Sequence, residues 1–316
     1  MSNALAVKMK SLLKLLFVLI AWSIVACSAP KEIQIEEGLI QINGSDVYYK
    51  TMGEGEPLII VHGGPVLDHS YLLPHLEPLA KEYKLIFYDQ RASGRSSIEI
   101  DTASMSLEGF VEDIELLRKA LKLDKVNLLA HSWGGLIAMK YAIKYDEHLD
   151  RLMLSNSIAP SVGDWQAENA VVAQKIDPTI QKKLNNIVSS GLLRTEDPRE
   201  YISQMMMLSY HVQMYDTANL KDLKLYIPKD YMLRNQVFGL LGGDMSSFDL
   251  YADLAKVSSP TLVIYGEAEG AVDLHAEKMA SAFQNGKLSV IEKSGHFPFV
   301  ESNKDFLKEL KAFLNN

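Results

Sequence analysis

Cysteine is nearly missing: the chain has one among 316 residues. That excludes an intramolecular disulfide and any zinc site built on several thiolates. Positive charge is thin as well. Lysine and arginine total 32 against 40 acidic residues, the net charge is −8, and no basic stripe gathers the cations. A nucleic-acid partner is therefore not expected. No uncharged apolar run approaches the about 20 residues that a membrane span requires. Glycine (19) and proline (11) are too few for a collagen-like chain, and there is no repeat or low-complexity tract. What is present is 47% hydrophobic and 23% charged, ordinary globular composition in a chain long enough to bury a large core.

The N-terminus has a distinct pattern. Lys8, Lys10 and Lys14 lead into an uncharged apolar run over 15–26. A basic start before a short apolar core is the form of a secretory signal. The core ends Ile24-Val25-Ala26-Cys27, similar to the box of bacterial lipoproteins, where small residues precede a cysteine that is lipidated and becomes the mature N-terminus. Residues 1–26 are accordingly expected to be a removed signal, Cys27 a lipidation site, and 27–37 a short polar tether. Acyl chains hold a protein to a membrane surface without spanning it. The expected location is outside the cytoplasm, on a membrane facing the periplasm or cell surface. An incidental cysteine is the alternative.

Beyond the tether, short apolar runs alternate with helical periodicity, as in an α/β fold with a mostly parallel sheet and helices on both faces. Residues 39–42 and 47–49 flank Asn43-Gly44-Ser45-Asp46 and read as a hairpin. The runs 58–61, 85–88 and 126–130 read as buried parallel strands, continued by 152–154, 261–265 and 288–291. Residues 106–121 and 306–314 read as amphipathic helices. From 159 to 257 the strand signal stops, and helices are expected over 167–176, 178–189, 197–215 and 228–241. The expected organisation is an α/β core of eight strands from 38–158 and 258–316, with 159–257 inserted as a helical cap.

The sharpest chemical signal is Ala130-His131-Ser132-Trp133-Gly134-Gly135, which follows a strand and opens a helix over 136–145. A serine on such a tight turn projects from the sheet edge as a nucleophile; the alternative is a plain helix cap. The hydroxyl needs a base held in the right tautomer. His296, in Ser294-Gly295-His296-Phe297-Pro298, follows the last strand and is the candidate. His62 and His131 sit beside other motifs, and His69, His75, His148, His211 and His275 lack a comparable setting. The orienting acid is Glu269, three residues past Gly266, with Asp273 as its rival. The chain order Ser, acid, His is that of the α/β-hydrolases. An oxyanion needs backbone donors, and Gly63 or Gly64, in His62-Gly63-Gly64-Pro65 after a strand, would pair with the Trp133 amide.

These pieces together resemble the proline iminopeptidase family of α/β-hydrolases, including tricorn-interacting aminopeptidase-like enzymes. The resemblance is carried by His62-Gly63-Gly64-Pro65, Asp89-Gln90-Arg91-Ala92-Ser93-Gly94-Arg95-Ser96, the turn around Ser132, and Gly295-His296. It implies an α/β-hydrolase fold, a Ser-acid-His triad, release of an N-terminal residue from short peptides, and a supporting role for Asp89 and Arg91 beneath the active-site loops. The chain departs from the family at Val66 and Ala92, where glycine is usual, and at Glu269, where aspartate is usual. The family also holds the substrate ammonium with carboxylates, one in the cap and one beside the triad acid. Here Gly270 follows Glu269, and the cap offers Asp244 and Asp249.

The expected activity is an aminopeptidase of this type, using no metal and no cofactor. A carboxylic ester hydrolase with the same triad is the second reading, and a non-catalytic binding protein on the scaffold the third. An epoxide hydrolase or dehalogenase is disfavoured, because those chemistries place aspartate where Ser132 stands.

Overall fold

The computed structural model describes residues 33–64 and 66–316. The expected signal, Cys27, the start of the tether and Pro65 lie outside them. The expected tether runs to residue 37, whereas strand β1 (Ile35–Ile42) has already begun at Ile35. It forms a hairpin with β2 (Ser45–Met52). Asn43 and Gly44 have φ of 49° and 73°, the backbone that a two-residue hairpin turn needs. Ser45 and Asp46, expected in the turn, pair instead with Ile42 and Gln41.

The remaining strands are β3 (Glu56–Val61), β4 (Tyr83–Tyr88), β5 (Val126–His131), β6 (Leu149–Ser155), β7 (Thr261–Gly266) and β8 (Gly286–Ile291). They form one eight-stranded sheet in the order β1-β2-β4-β3-β5-β6-β7-β8. β1 and β2 are antiparallel to their neighbours, and every pairing from β4 to β8 is parallel. All six residues of β5 are buried, as expected of a central strand covered on both faces.

Helix α1 (Leu107–Ala120) is capped by Ser106, whose Oγ accepts from Gly109 N at 3.1 Å. Leu107, Phe110, Ile114 and Leu117 on it are buried in the core. Helix α2 (Trp133–Tyr145) starts directly after Ser132, three residues before the expected start, because the turn is made by Ser132 itself.

Between β6 and β7 lie α3 (Val162–Gln174), α4 (Pro178–Ser189), α5 (Arg199–His211) and α6 (Tyr231–Phe238). Helix α3 starts earlier than the periodicity indicates, because Ser161 caps it through Asp164 N at 3.2 Å. Helix α5 starts after Pro198 and stops at His211, inside the expected 197–215. The inserted helices meet the core through Phe238, whose ring lies 5.5 Å from Phe110 and 5.8 Å from Trp133. Arg234 adds a hydrogen bond from Nη1 to the Ser96 carbonyl at 2.8 Å. Helices α7 (Ala276–Ala282) and α8 (Asn303–Leu314) complete the chain. No helix among the described residues is long and apolar enough to cross a membrane.

Candidate active site

Ser132 stands between β5 and α2 with φ 54° and ψ −120°, a strained backbone for a residue with a side chain. Its neighbours let the turn close. A Cβ on Gly134 would meet the Val61 carbonyl oxygen at 2.4 Å, and one on Gly135 would meet Ser157 Oγ at 2.0 Å. The Ser132 side chain makes no capping bond to α2. Its Oγ lies 3.1 Å from Nε2 of His296.

Nδ1 of His296 lies 2.9 and 3.1 Å from the two carboxylate oxygens of Glu269. A carboxylate accepts, so Nδ1 carries the proton and Nε2 is left with its lone pair toward the serine hydroxyl. Glu269 is buried in the loop after β7. Asn156, held at φ 46° beyond β6, donates from Nδ2 to Glu269 Oε2 and, at 3.1 Å, to the Gly295 carbonyl. Asp273, the rival acid, is exposed and takes no part in this run. Burial is the largest influence on His296 and opposes its protonation. The charge and hydrogen bond of Glu269, with the charge of Glu168 behind them, outweigh it and raise the imidazole above the ordinary 6.5.

The glycine loop after β3 approaches this turn closely. A Cβ on Gly63 would lie 2.8 Å from both the His131 carbonyl oxygen and Ser132 Cβ. The Gly63 amide, however, donates to the Tyr71 hydroxyl at 2.7 Å, so of the two candidate glycines it is the one already committed. Gly64, with φ +59°, lines the cavity above Ser132. The Trp133 amide, first in α2, has no intrahelical acceptor. Val66 and Ala92, standing where the resemblance expects glycine, both adopt positive φ, 69° and 54°. The backbone demand is retained although the residue type is not.

The Asp-Gln-Arg segment divides its work. Asp89 and Arg91 do not pair with each other. Asp89 accepts from His69 Nδ1 at 2.6 Å and from Arg95 N at 2.8 Å. Arg91 is wholly buried and forks onto Asp113 at 2.6 and 2.7 Å. The residue between them touches the loops directly. Gln90 Nε2 donates to the His62 carbonyl at 2.6 Å, and Gln90 Oε1 accepts from the Trp133 indole at 2.9 Å. Gln90 thus ties the glycine loop to the serine turn, a role the sequence reading gave to its neighbours. Asp68, His69 and Asp89 cluster within 4.8 Å, and Arg95 supplies the countercharge through Asp68 and, at 3.7 Å, Asp89.

Ser132, His296 and Glu269 open on a cavity of about 490 Å³ between the inserted helices and the sheet edge. Trp165, Val172, Leu225, Phe238, Leu241 and Met245 make most of its wall apolar. Asp244 and Asp249, expected to face a substrate ammonium, do not line it. Both are exposed. Asp244 Oδ2 accepts from Leu107 N at 2.7 Å at the start of α1, and Asp249 Oδ1 accepts from Tyr251 N at 3.1 Å. Besides Glu269, the carboxylate on the wall among the described residues is Glu168 of α3, which is buried and takes a hydrogen bond from His275 Nε2 at 3.1 Å. Its place on a helix with weak amphipathic patterning left nothing in the sequence to single it out.

Comparison with known proteins agrees with this fold. Residues 56–303 match the family model described as alpha/beta hydrolase fold. The proline iminopeptidase of Heyndrickxia coagulans is 28% identical over 289 residues, covering 89% of this chain and 99% of that protein. That of Saccharolobus solfataricus is 26% identical over 297 residues, covering 90% and 93%. Among solved structures, a proline iminopeptidase of Mycobacterium smegmatis superposes with a TM-score of 0.68 at 17% identity, covering 89% of this chain and 98% of that one. A thermophilic esterase of Thermogutta terrifontis reaches 0.64 at 20% identity with the same coverage. At those identities the two structures speak for the fold alone. The chain belongs to the alpha/beta hydrolase family, and the relatives it is similar to include proline iminopeptidases.

Proposed function

We propose that this hydrolase is a serine aminopeptidase of the proline iminopeptidase type, acting on short peptides with a free amino terminus. Ser132 attacks the scissile carbonyl while His296 takes its proton, and Glu269 steadies the imidazolium that forms. The amides of Gly64 and Trp133 hold the oxyanion, and His296 returns the proton to the leaving amine. Water then repeats the sequence on the acyl-enzyme. The observation that carries the peptide reading is Glu168, a buried carboxylate on a mostly apolar wall: His275 Nε2 occupies its Oε2 at 3.1 Å, and its Oε1 is left to accept from a substrate ammonium. A small apolar or cyclic side chain suits the rest of the wall. An ester hydrolase with the same residues is the second reading, favoured by Gly270, which leaves no second carboxylate beside Glu269.

The test compares a prolyl-arylamide, its N-acetylated form and a short-chain aryl ester. The expected result is turnover of the free amine, lost on acetylation and reduced about 100-fold in kcat/KM by Glu168→Gln. Ester turnover alone, or indifference to Glu168→Gln, favours the second reading.

The base works only when neutral. Because Glu269 raises His296, the acid limb of kcat/KM is expected to have its midpoint above 6.5 and to move down in Glu269→Gln. A limb that the substitution leaves in place argues against Glu269 as the orienting acid. We also propose that Cys27 is lipidated and anchors the protein outside the cytoplasm. Mass analysis of the N-terminal peptide from membranes reads this directly, and an unmodified thiol or a retained 1–26 segment rejects it.

A further inference from the structure

Behind the nucleophile, three hydrogen bonds link the glycine loop to the backbone of His296, and their ends dictate their direction. The Gly63 amide can only donate, and the Tyr71 hydroxyl oxygen accepts it at 2.7 Å. The His296 carbonyl can only accept, so Nε2 of His131, 2.9 Å away, carries the proton. Nδ1 of His131 is then a lone pair, and Tyr71 donates its one proton to it across 2.8 Å. Every polar atom on the path is satisfied. The path is dry: Tyr71 is 2% exposed and His131 3%. The His131 ring also lies 4.9 Å from the ring of His296 and 5.0 Å, edge-on, from that of Phe299.

Neither side chain takes part in the hydrolytic steps above. An apolar pair of similar size would fill this space without desolvating two polar rings. What the polar pair adds is direction and spacing between two parts of the site that come from distant stretches of the chain. One end holds the residue before Gly64, and the other holds the backbone of His296. His131 itself immediately precedes Ser132.

We infer that Tyr71 and His131 are positioning residues that keep the oxyanion loop and the base in register across Ser132, and that the Nε2–H tautomer of His131 is the working form. The inference rests on the reading of Ser132 as nucleophile and His296 as base.

The test uses the full chain and a fluorophosphonate, so it needs no knowledge of the substrate. Ser132 Oγ forms a bond to phosphorus, the P–F bond breaks, fluoride leaves, and His296 takes the hydroxyl proton. The rate of labelling is measured at one pH alongside the thermal midpoint. Displacing either end by about an ångström is expected to slow labelling about 100-fold in Tyr71→Phe and His131→Leu. His131→Gln, whose amide oxygen accepts and whose nitrogen donates, is expected to label about tenfold faster than His131→Leu. A purely structural role would lower the midpoint while leaving the labelling rate of folded protein unchanged, and Gln would rescue nothing. If His131→Leu does not fold, Tyr71→Phe, which removes one oxygen, decides alone. Wild-type labelling matched by Tyr71→Phe overturns the inference by itself. A wild-type chain that takes no label overturns the Ser132 reading, and the inference with it.

Discussion

Replacing Ser132 with alanine is expected to lower kcat by about 10⁶-fold on whichever substrate the protein turns over, with stability changed by no more than about 0.5 kcal/mol. The large effect follows from the geometry of one oxygen. Ser132 Oγ is 3.1 Å from the only ring nitrogen of His296 free to accept its proton, because Glu269 holds the other at 2.9 Å. Without that oxygen, no covalent intermediate forms, and the oxyanion donors alone supply the small residual rate. The stability effect is small because the hydroxyl caps nothing in α2, and alanine meets the same backbone strain. Kinetics of purified protein, with circular dichroism for the thermal midpoint, check both halves. A loss below about 100-fold would mean that another nucleophile does the work.

The second large effect is on stability. Arg91→Leu is expected to destabilise the fold by about 3–5 kcal/mol, a substantial part of the 5–15 kcal/mol typical of a domain. The guanidinium is 0% exposed. It donates to Asp113 at 2.6 and 2.7 Å, to the Ser104 carbonyl at 2.5 Å and to the Gly109 carbonyl at 3.0 Å. Leucine leaves the Asp113 carboxylate buried with Asn43 Nδ2, at 3.2 Å, as its remaining side-chain donor. The penalty is therefore that of an uncompensated charge rather than the worth of the pair. Consistent with that, Arg91→Leu combined with Asp113→Leu should recover much of the loss. Lysine should not rescue, since one ammonium cannot match a planar fork with acceptors on three sides. Urea unfolding of the four proteins measures this. Equal stability of the single and double variants would refute the charge explanation.

How much of this could be read from residues alone depends on whether the signal is local. The strands β3 and β4 are legible as apolar runs, and β5 as one broken by Asn127, since a parallel strand is buried on both faces. The serine turn and His296 are legible because each needs a particular residue type directly after a strand. Glu269 is separable from Asp273 by its distance from Gly266, and the structure puts Glu269 on His296 and leaves Asp273 exposed. Helix ends are less legible: α3 starts at a Ser161 cap that lies before its apolar pattern. Least legible are contacts between segments far apart in sequence. Asp244 looks like a cap-domain carboxylate available to a substrate, but it is taken by an α1 amide 137 residues away. Glu168, Gln90 and Asn156 are ordinary polar residues until the fold brings them to the cavity wall, the glycine loop and Glu269. The commitment of the Gly63 amide to Tyr71 likewise belongs to tertiary structure, since either glycine fits the local motif.

The most direct measurement is the site and dependence of covalent labelling. The full chain is treated with a fluorophosphonate, digested, and the adduct located by mass spectrometry, with His296→Ala treated in parallel. One adduct on Ser132, formed in the wild type and lost in His296→Ala, is the expected result. An adduct on another residue, or labelling of Ser132 that survives His296→Ala at the wild-type rate, would contradict the assignment of nucleophile and base.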